Sequence, residues 1–216
     1  MKNLNKFSLS IATFFYLFLS SQQVLSSEVI ESLGGALILS KSNQKLYGYY
    51  NAVVPNFSCT FFIYGEDANQ KTITITTFDT NRSYNERVKN FDIPGFAIEL
   101  ESDKWQIKTQ DEQAGCGGAV GSFTWDDDRA TTFFMRKKYP AIGIRIVKSK
   151  AIIYQRINGK FIAKKSYLVA PEVIVFVKKD EKFAFIRYFD KLKKSNAFGW
   201  VFLRNLENPF PDAERP

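Results

Sequence analysis

The stretch KTITITT, Lys71 to Thr77, sets Ile73 and Ile75 against Thr72, Thr74 and Thr76. Strict alternation of apolar and polar residues is the period of a strand with one buried face, because successive side chains point to opposite sides of a sheet. The rest of the chain offers nothing that competes with it. LYGYYNAVV and CTFFIYG are aromatic and β-branched runs bounded by Gly, Pro, Asn and Asp. EDANQK, Glu66 to Lys71, reads as a hairpin loop between two such runs. DKWQIKT puts Trp105 and Ile107 on one face, and IPGFAIEL reads as a Pro94-Gly95 turn feeding a short strand. No long segment carries a 3.6-residue period, although SYNERVKNF has room for a helical turn or two. The fold expected is all-β.

The first 27 residues stand apart. Lys2 and Lys6 precede the apolar run Ile11 to Leu19, and small residues follow it. This is the layout of a secretory signal peptide, with cleavage after Ser26 or Ser27. The run is too short for a spanning helix, which needs about 20 apolar residues, so the mature chain is not membrane-spanning. The expected location is periplasmic or secreted. Removing Lys2 and Lys6 takes the formal charge from +8 to +6. A basic balance suits anionic lipid, an acidic protein partner, nucleic acid or simple solubility. Export argues against nucleic acid.

The chain has two cysteines and no histidine. Cys59 lies in a strand-like run and Cys116 in the glycine-rich AGCGGAVG. In an oxidising compartment two such residues are expected to pair. The lack of histidine removes Ser-His-Asp and Cys-His arrangements, His-bearing zinc sites and the HExxH helix. A cysteine activated by lysine or a helix end is the alternative. The glycine run lacks the GKS or GKT end of a phosphate loop. WDDDR brings Trp125, Asp126, Asp127 and Asp128 together, without the alternating ligands, glycine and distant Glu of an EF-hand. It reads as a solvated turn. No metal and no cofactor are expected.

RKKYP, Arg136 to Pro140, reads as a joint. The expected organisation is a signal peptide over 1–27, an N-terminal disulfide-bearing antiparallel β domain over 28–135, and a linker over 136–141. A small barrel over 142–206 and a flexible Pro-rich tail over 207–216 complete it. In the C-terminal part, two β-rich runs flank Lys178 to Lys182 and should pair as an antiparallel hairpin. Five short strands with one tight hairpin suggest a small barrel.

Tyr167-Leu168 before a turn, the Val173 to Val177 strand, the charged hairpin, the aromatic-bearing Phe183 to Tyr188 and the terminal Gly199-Trp200-Val201 follow in that order. This pattern resembles the bacterial SH3-like domains over about Ile142 to Leu206. The resemblance implies a binding device rather than an enzyme, with cell-wall peptide or protein ligands for an exported member. Tyr167, Tyr188, Phe198 and Trp200 would then form an aromatic rim, with Arg187 able to pair a carboxylate. Trp200, after glycine in a terminal strand, reads as core more readily than as contact.

Three functions are compatible with these readings. The first is a non-catalytic exported binding protein recognising a cell-envelope peptide, glycan or protein through the SH3-like module. The second is a periplasmic immunity-type inhibitor of a secreted toxin, such as a cell-wall hydrolase or lipase, with WDDD as an inhibitory wedge. The third is an enzyme working through carboxylates alone, from pairs such as Glu99 with Asp103 or Glu112. The expected partner is an envelope protein, a cell-wall component or a secreted toxin, and the expected class is non-enzymatic.

Overall fold

The computed structural model describes residues 27–124, 132–190 and 195–211. The expected signal peptide, apart from Ser27, and the Trp125, Asp126, Asp127, Asp128 run lie outside the described residues.

Eight antiparallel strands close a barrel in sequence order: β1 (Glu28–Ser32), β2 (Leu37–Ser42), β3 (Lys45–Val54), β4 (Phe57–Gly65), β5 (Thr72–Phe78), β6 (Ile93–Glu101), β7 (Lys104–Thr109) and β8 (Thr132–Pro140). The KTITITT alternation is β5, with Ile73 and Ile75 turned inward. Short turns set the registers. Asn43 and Gln44 hold positive φ between Ser42 and Lys45, as a two-residue hairpin requires. Pro94 and Gly95 lie inside β6 rather than in a turn before it, Pro94 facing Thr76 across the ladder.

The barrel is filled. Tyr50, Phe61, Trp105, Ile107, Phe123 and Phe133 crowd its interior. The short helix α1 (Cys116–Ala119) sits against β4, where Cys116 and Cys59 form the disulfide, Cα atoms 4.5 Å apart. Gly115, at φ 79°, precedes it, and a Cβ there would lie 2.4 Å from the Ser58 carbonyl oxygen. Only glycine permits that approach of backbone to backbone.

The rest of the chain forms an open seven-stranded antiparallel sheet, where a small closed barrel of five strands was expected over 142–206. Its strands are β9 (Gly143–Val147), β10 (Ala151–Ile157), β11 (Lys160–Leu168), β12 (Val173–Asp180), β13 (Phe183–Asp190), β14 (Ser195–Phe202) and β15 (Leu206–Glu207), in the order β11-β10-β14-β13-β12-β9-β15. The charged hairpin is present, Asp180 facing Phe183. One face curls over its own core of Ile153, Ile174, Phe176, Ile186 and Val201. The other face, through Ile144, Ile146 and Val175, packs on the outside of the barrel against Val29, Ile38, Tyr47 and Phe62. The two sheets therefore share a hydrophobic layer.

Two expected boundaries are corrected. Arg136 to Pro140 are not a linker: they end β8, which pairs with β1 from Glu28↔Pro140 onward and so closes the barrel. The basic side chains are tolerated because this stretch of β8 presents them to solvent. The described part of the tail, 207–211, is packed. Phe210 is buried against Tyr47, Phe62 and Phe78, and the Tyr84 N–H donates to the Pro209 carbonyl at 2.8 Å.

Candidate binding face

Residues directly opposite in an antiparallel ladder point to the same side. Tyr154, Trp200 and Phe185 are opposite one another across β10, β14 and β13. Phe183 faces Phe202, Arg187 faces Phe198, and Ile152 faces Tyr167. One face of the second sheet thus carries Phe198, Trp200 and Phe202 from alternate positions of β14 and Phe183, Phe185 and Arg187 from alternate positions of β13. It is the face that, farther along at β12 and β9, packs on the barrel.

The rings touch. Phe161 stacks on Phe183 with centroids 3.8 Å apart, Phe183 on Phe202 at 4.4 Å, and Trp200 meets Phe185 at 5.2 Å and Phe161 at 5.4 Å. Such pairs contribute roughly 0.5–1.5 kcal/mol each beyond burial, which keeps the face rigid. Gly199 makes room for it: a Cβ there would lie 2.3 Å from Ile153 Cγ2, so β14 and β10 come together only over a bare α-carbon.

Cations lie over this floor. Lys178 Nζ is 5.4 Å from the Phe185 ring and 5.6 Å from that of Trp200. The Arg204 guanidinium is 4.8 Å from Phe202, and Lys150 Nζ is 4.3 Å from Tyr167. Arg156 stands over Phe161 and Trp200 and is ion-paired to Asp180. Among the described residues Lys178, Lys150 and Arg204 have no carboxylate partner, so their charge is held only by the rings and by water.

The five side chains singled out in the sequence fall in different places. Tyr167 and Phe198 are exposed, at 52% and 48%. Trp200, on the same face, is only 7% exposed and serves as the floor. Arg187 is on this face too, but it is committed: its Nη2 is 2.8 Å from Glu31 of the barrel, both side chains being about nine-tenths buried. It also donates to Asn196 and lies over the Tyr139 ring. The Tyr139 hydroxyl donates to the same Glu31. Burial, then the Glu31 carboxylate, pushes that phenol far above its ordinary range. Tyr188 is turned to the opposite face, against the sheet's own core, and donates to Glu172 at 3.0 Å. The sequence reading missed Tyr154, Phe161, Phe183, Phe185 and Phe202, although the spacings Phe183-x-Phe185 and Phe198-x-Trp200-x-Phe202 mark one strand face.

Two rigid rows of rings under unpaired cations make a surface for anionic or π-rich groups. Of the carboxylates considered for catalysis, Glu99 is ion-paired to Lys41 at 2.8 Å. Among the described residues no three His, Cys, Asp or Glu side chains come together as a metal site, and no helix is long and apolar enough to cross a membrane. Compared with protein-family models, curated proteins and solved structures, the chain matches none.

Proposed function

We propose that this chain is an exported, non-catalytic binding protein that recognises a cell-envelope peptide, glycan or protein through the outer face of its second sheet. The observation that carries the reading is that the exposed Tyr167 and Phe198 lie on the same sheet face as Trp200 and a floor of further rings, with Lys178, Lys150 and Arg204 over rings of that face. Tyr167 and Phe198, about half exposed, are the rings of this face that a docking partner would cover. The Cys59–Cys116 bond suits an oxidising compartment outside the cytoplasm.

The test is affinity capture. Protein from Glu28 onward is immobilised and exposed to envelope extract, to purified cell wall and to proteins secreted by competing cells. Retention of a wall or envelope component is expected, and the double variant Phe198→Ser with Lys178→Glu should lose it. Capture of a foreign hydrolase with loss of its activity would replace the binding-module reading with that of an immunity-type inhibitor. Retention that the double variant keeps in full would move the site off this face.

A further inference from the structure

Where the second sheet leaves the barrel, the two walls part and enclose a cleft of about 510 Å³. That is within the range of small-molecule sites, about 300–1,000 Å³. Its surface is largely apolar, from Ile38, Val53, Leu33, Val173, Val175 and Phe189. Leu33 and Val53 are each 56% exposed at its edge. Leu33 is carried there by the turn at Gly34 and Gly35, both at positive φ.

The charges around the cleft are not balanced. One of its two carboxylates is neutralised and the other is hydrogen-bonded but keeps its charge. Glu31 is taken by Arg187 and Tyr139, and Glu172 accepts from the Tyr188 hydroxyl and from the Val169 N–H at 2.7 Å. Arg187 is neutralised in the same pairing. Tyr49 carries no charge near neutral pH, since burial pushes its phenol up to about 12, and its oxygen accepts from Asn51 at 2.8 Å. What remains is Arg136 and Lys137, both exposed and neither ion-paired among the described residues, against the one carboxylate without an ion pair, Glu172, which leaves a net excess of one positive charge.

These two are consecutive on β8, and consecutive strand residues ordinarily point to opposite faces. Here the ladder slips. Glu31 faces Lys137 while Ser32 faces Met135, so Arg136 is the extra residue of a bulge. The bulge lets both basic residues border the cleft, a known use of such irregularities beside binding sites.

We propose that this cleft binds a single-chain anionic amphiphile, its acyl chain along the apolar walls and its carboxylate or phosphate head between Arg136 and Lys137. This site adjoins the aromatic face, with which it shares Arg187, but its two basic residues come from the barrel and it does not depend on what that face binds.

Delipidated protein from Glu28 onward is titrated calorimetrically with decanoate, decyl phosphate, decyl glucoside and decyltrimethylammonium, all below their micelle concentrations. Saturable one-to-one binding of decanoate or decyl phosphate is expected, with the tighter of the two naming the head group. The neutral and cationic chains should bind at least about tenfold more weakly, the scale of one charge-assisted hydrogen bond. Arg136→Gln with Lys137→Gln should cost the anions about tenfold and leave the glucoside unchanged. Val53→Glu should remove anion binding, and Lys138→Gln, whose lysine is paired with Glu28 away from the cleft, should not. All these side chains are exposed, so folding is preserved. Equal affinity for all four chains, no saturable binding of either anion, or anion binding that survives both cleft variants would overturn the proposal.

Discussion

Burial of tyrosine leaves this protein sensitive to alkali. Burial pushes Tyr49 and Tyr50 up to about 12, and Tyr64 and Tyr139 move further in the same direction, by burial first and then by Glu66 and Glu31. An unfolded tyrosine ionises near about 10. Between those values the folded chain holds protons that the unfolded chain has lost, so this stability is full below about pH 10 and drains away toward pH 12. Arg145 acts the other way: burial lowers it to about 10, and in the same window the unfolded chain holds the extra proton. Four phenols outweigh one guanidinium. The urea midpoint should therefore fall between about pH 9 and pH 11.5, at roughly 1.4 kcal/mol per unit of pKa difference for each phenol. A midpoint that holds or rises over that interval would count against these buried phenols. At Gly199 the expectation is steric: Gly199→Ala meets the Ile153 methyl and should cost about 1–3 kcal/mol in chemical denaturation. A cost near zero would mean that β10 and β14 can slide apart.

Among the elements, α1 is the one least able to hold itself. It has four residues, and no side chain caps its N-terminus. Its place against β4 rests on the Cys59–Cys116 bond, which closes 57 residues of separation. In the chain-entropy model that closure contributes about 4 kcal/mol. Cys59→Ala with Cys116→Ala should lower stability by about 2–5 kcal/mol. The native protein should show no free thiol until it is both unfolded and reduced. The bond, β5 and the β12–β13 hairpin were legible in the sequence because each rests on a local rule: cysteine pairing after export, a period of two, polar residues between apolar runs. The β10–β11 hairpin was equally local but overlooked, since Asn158 and Gly159, at φ 49° and 79°, are the two-residue turn that links Ile157 to Lys160. β8 was not legible. Arg136-Lys137-Lys138 resembles a linker until β1 is beside it, and that pairing joins opposite ends of the barrel. The candidate face was half legible. Alternation along β14 aligns Phe198 with Trp200, and alternation along β13 already sets Tyr188 on the face opposite Arg187, but nothing local reveals that Arg187 is spent on Glu31.

At the scale of the whole molecule, the barrel and the second sheet are not independent. Val29, Ile38, Tyr47 and Phe62 on the barrel's outside are covered by Ile144, Ile146, Val175 and Phe210. A chain ending at Pro140 would leave that aromatic wall in water, a patch that soluble domains seldom tolerate. The segment 28–140 alone should bind a hydrophobic dye strongly and aggregate, and adding 141–216 should suppress both. A clear, dye-silent 28–140 fragment would show the layer to be dispensable. The filled interior has a consequence of its own. Among the described residues Tyr50, Phe61, Trp105 and Phe123 fill the barrel's interior. The barrel is a strut rather than a vessel, and whatever the molecule handles must arrive and depart sideways, along the seam between its sheets or across its open flank.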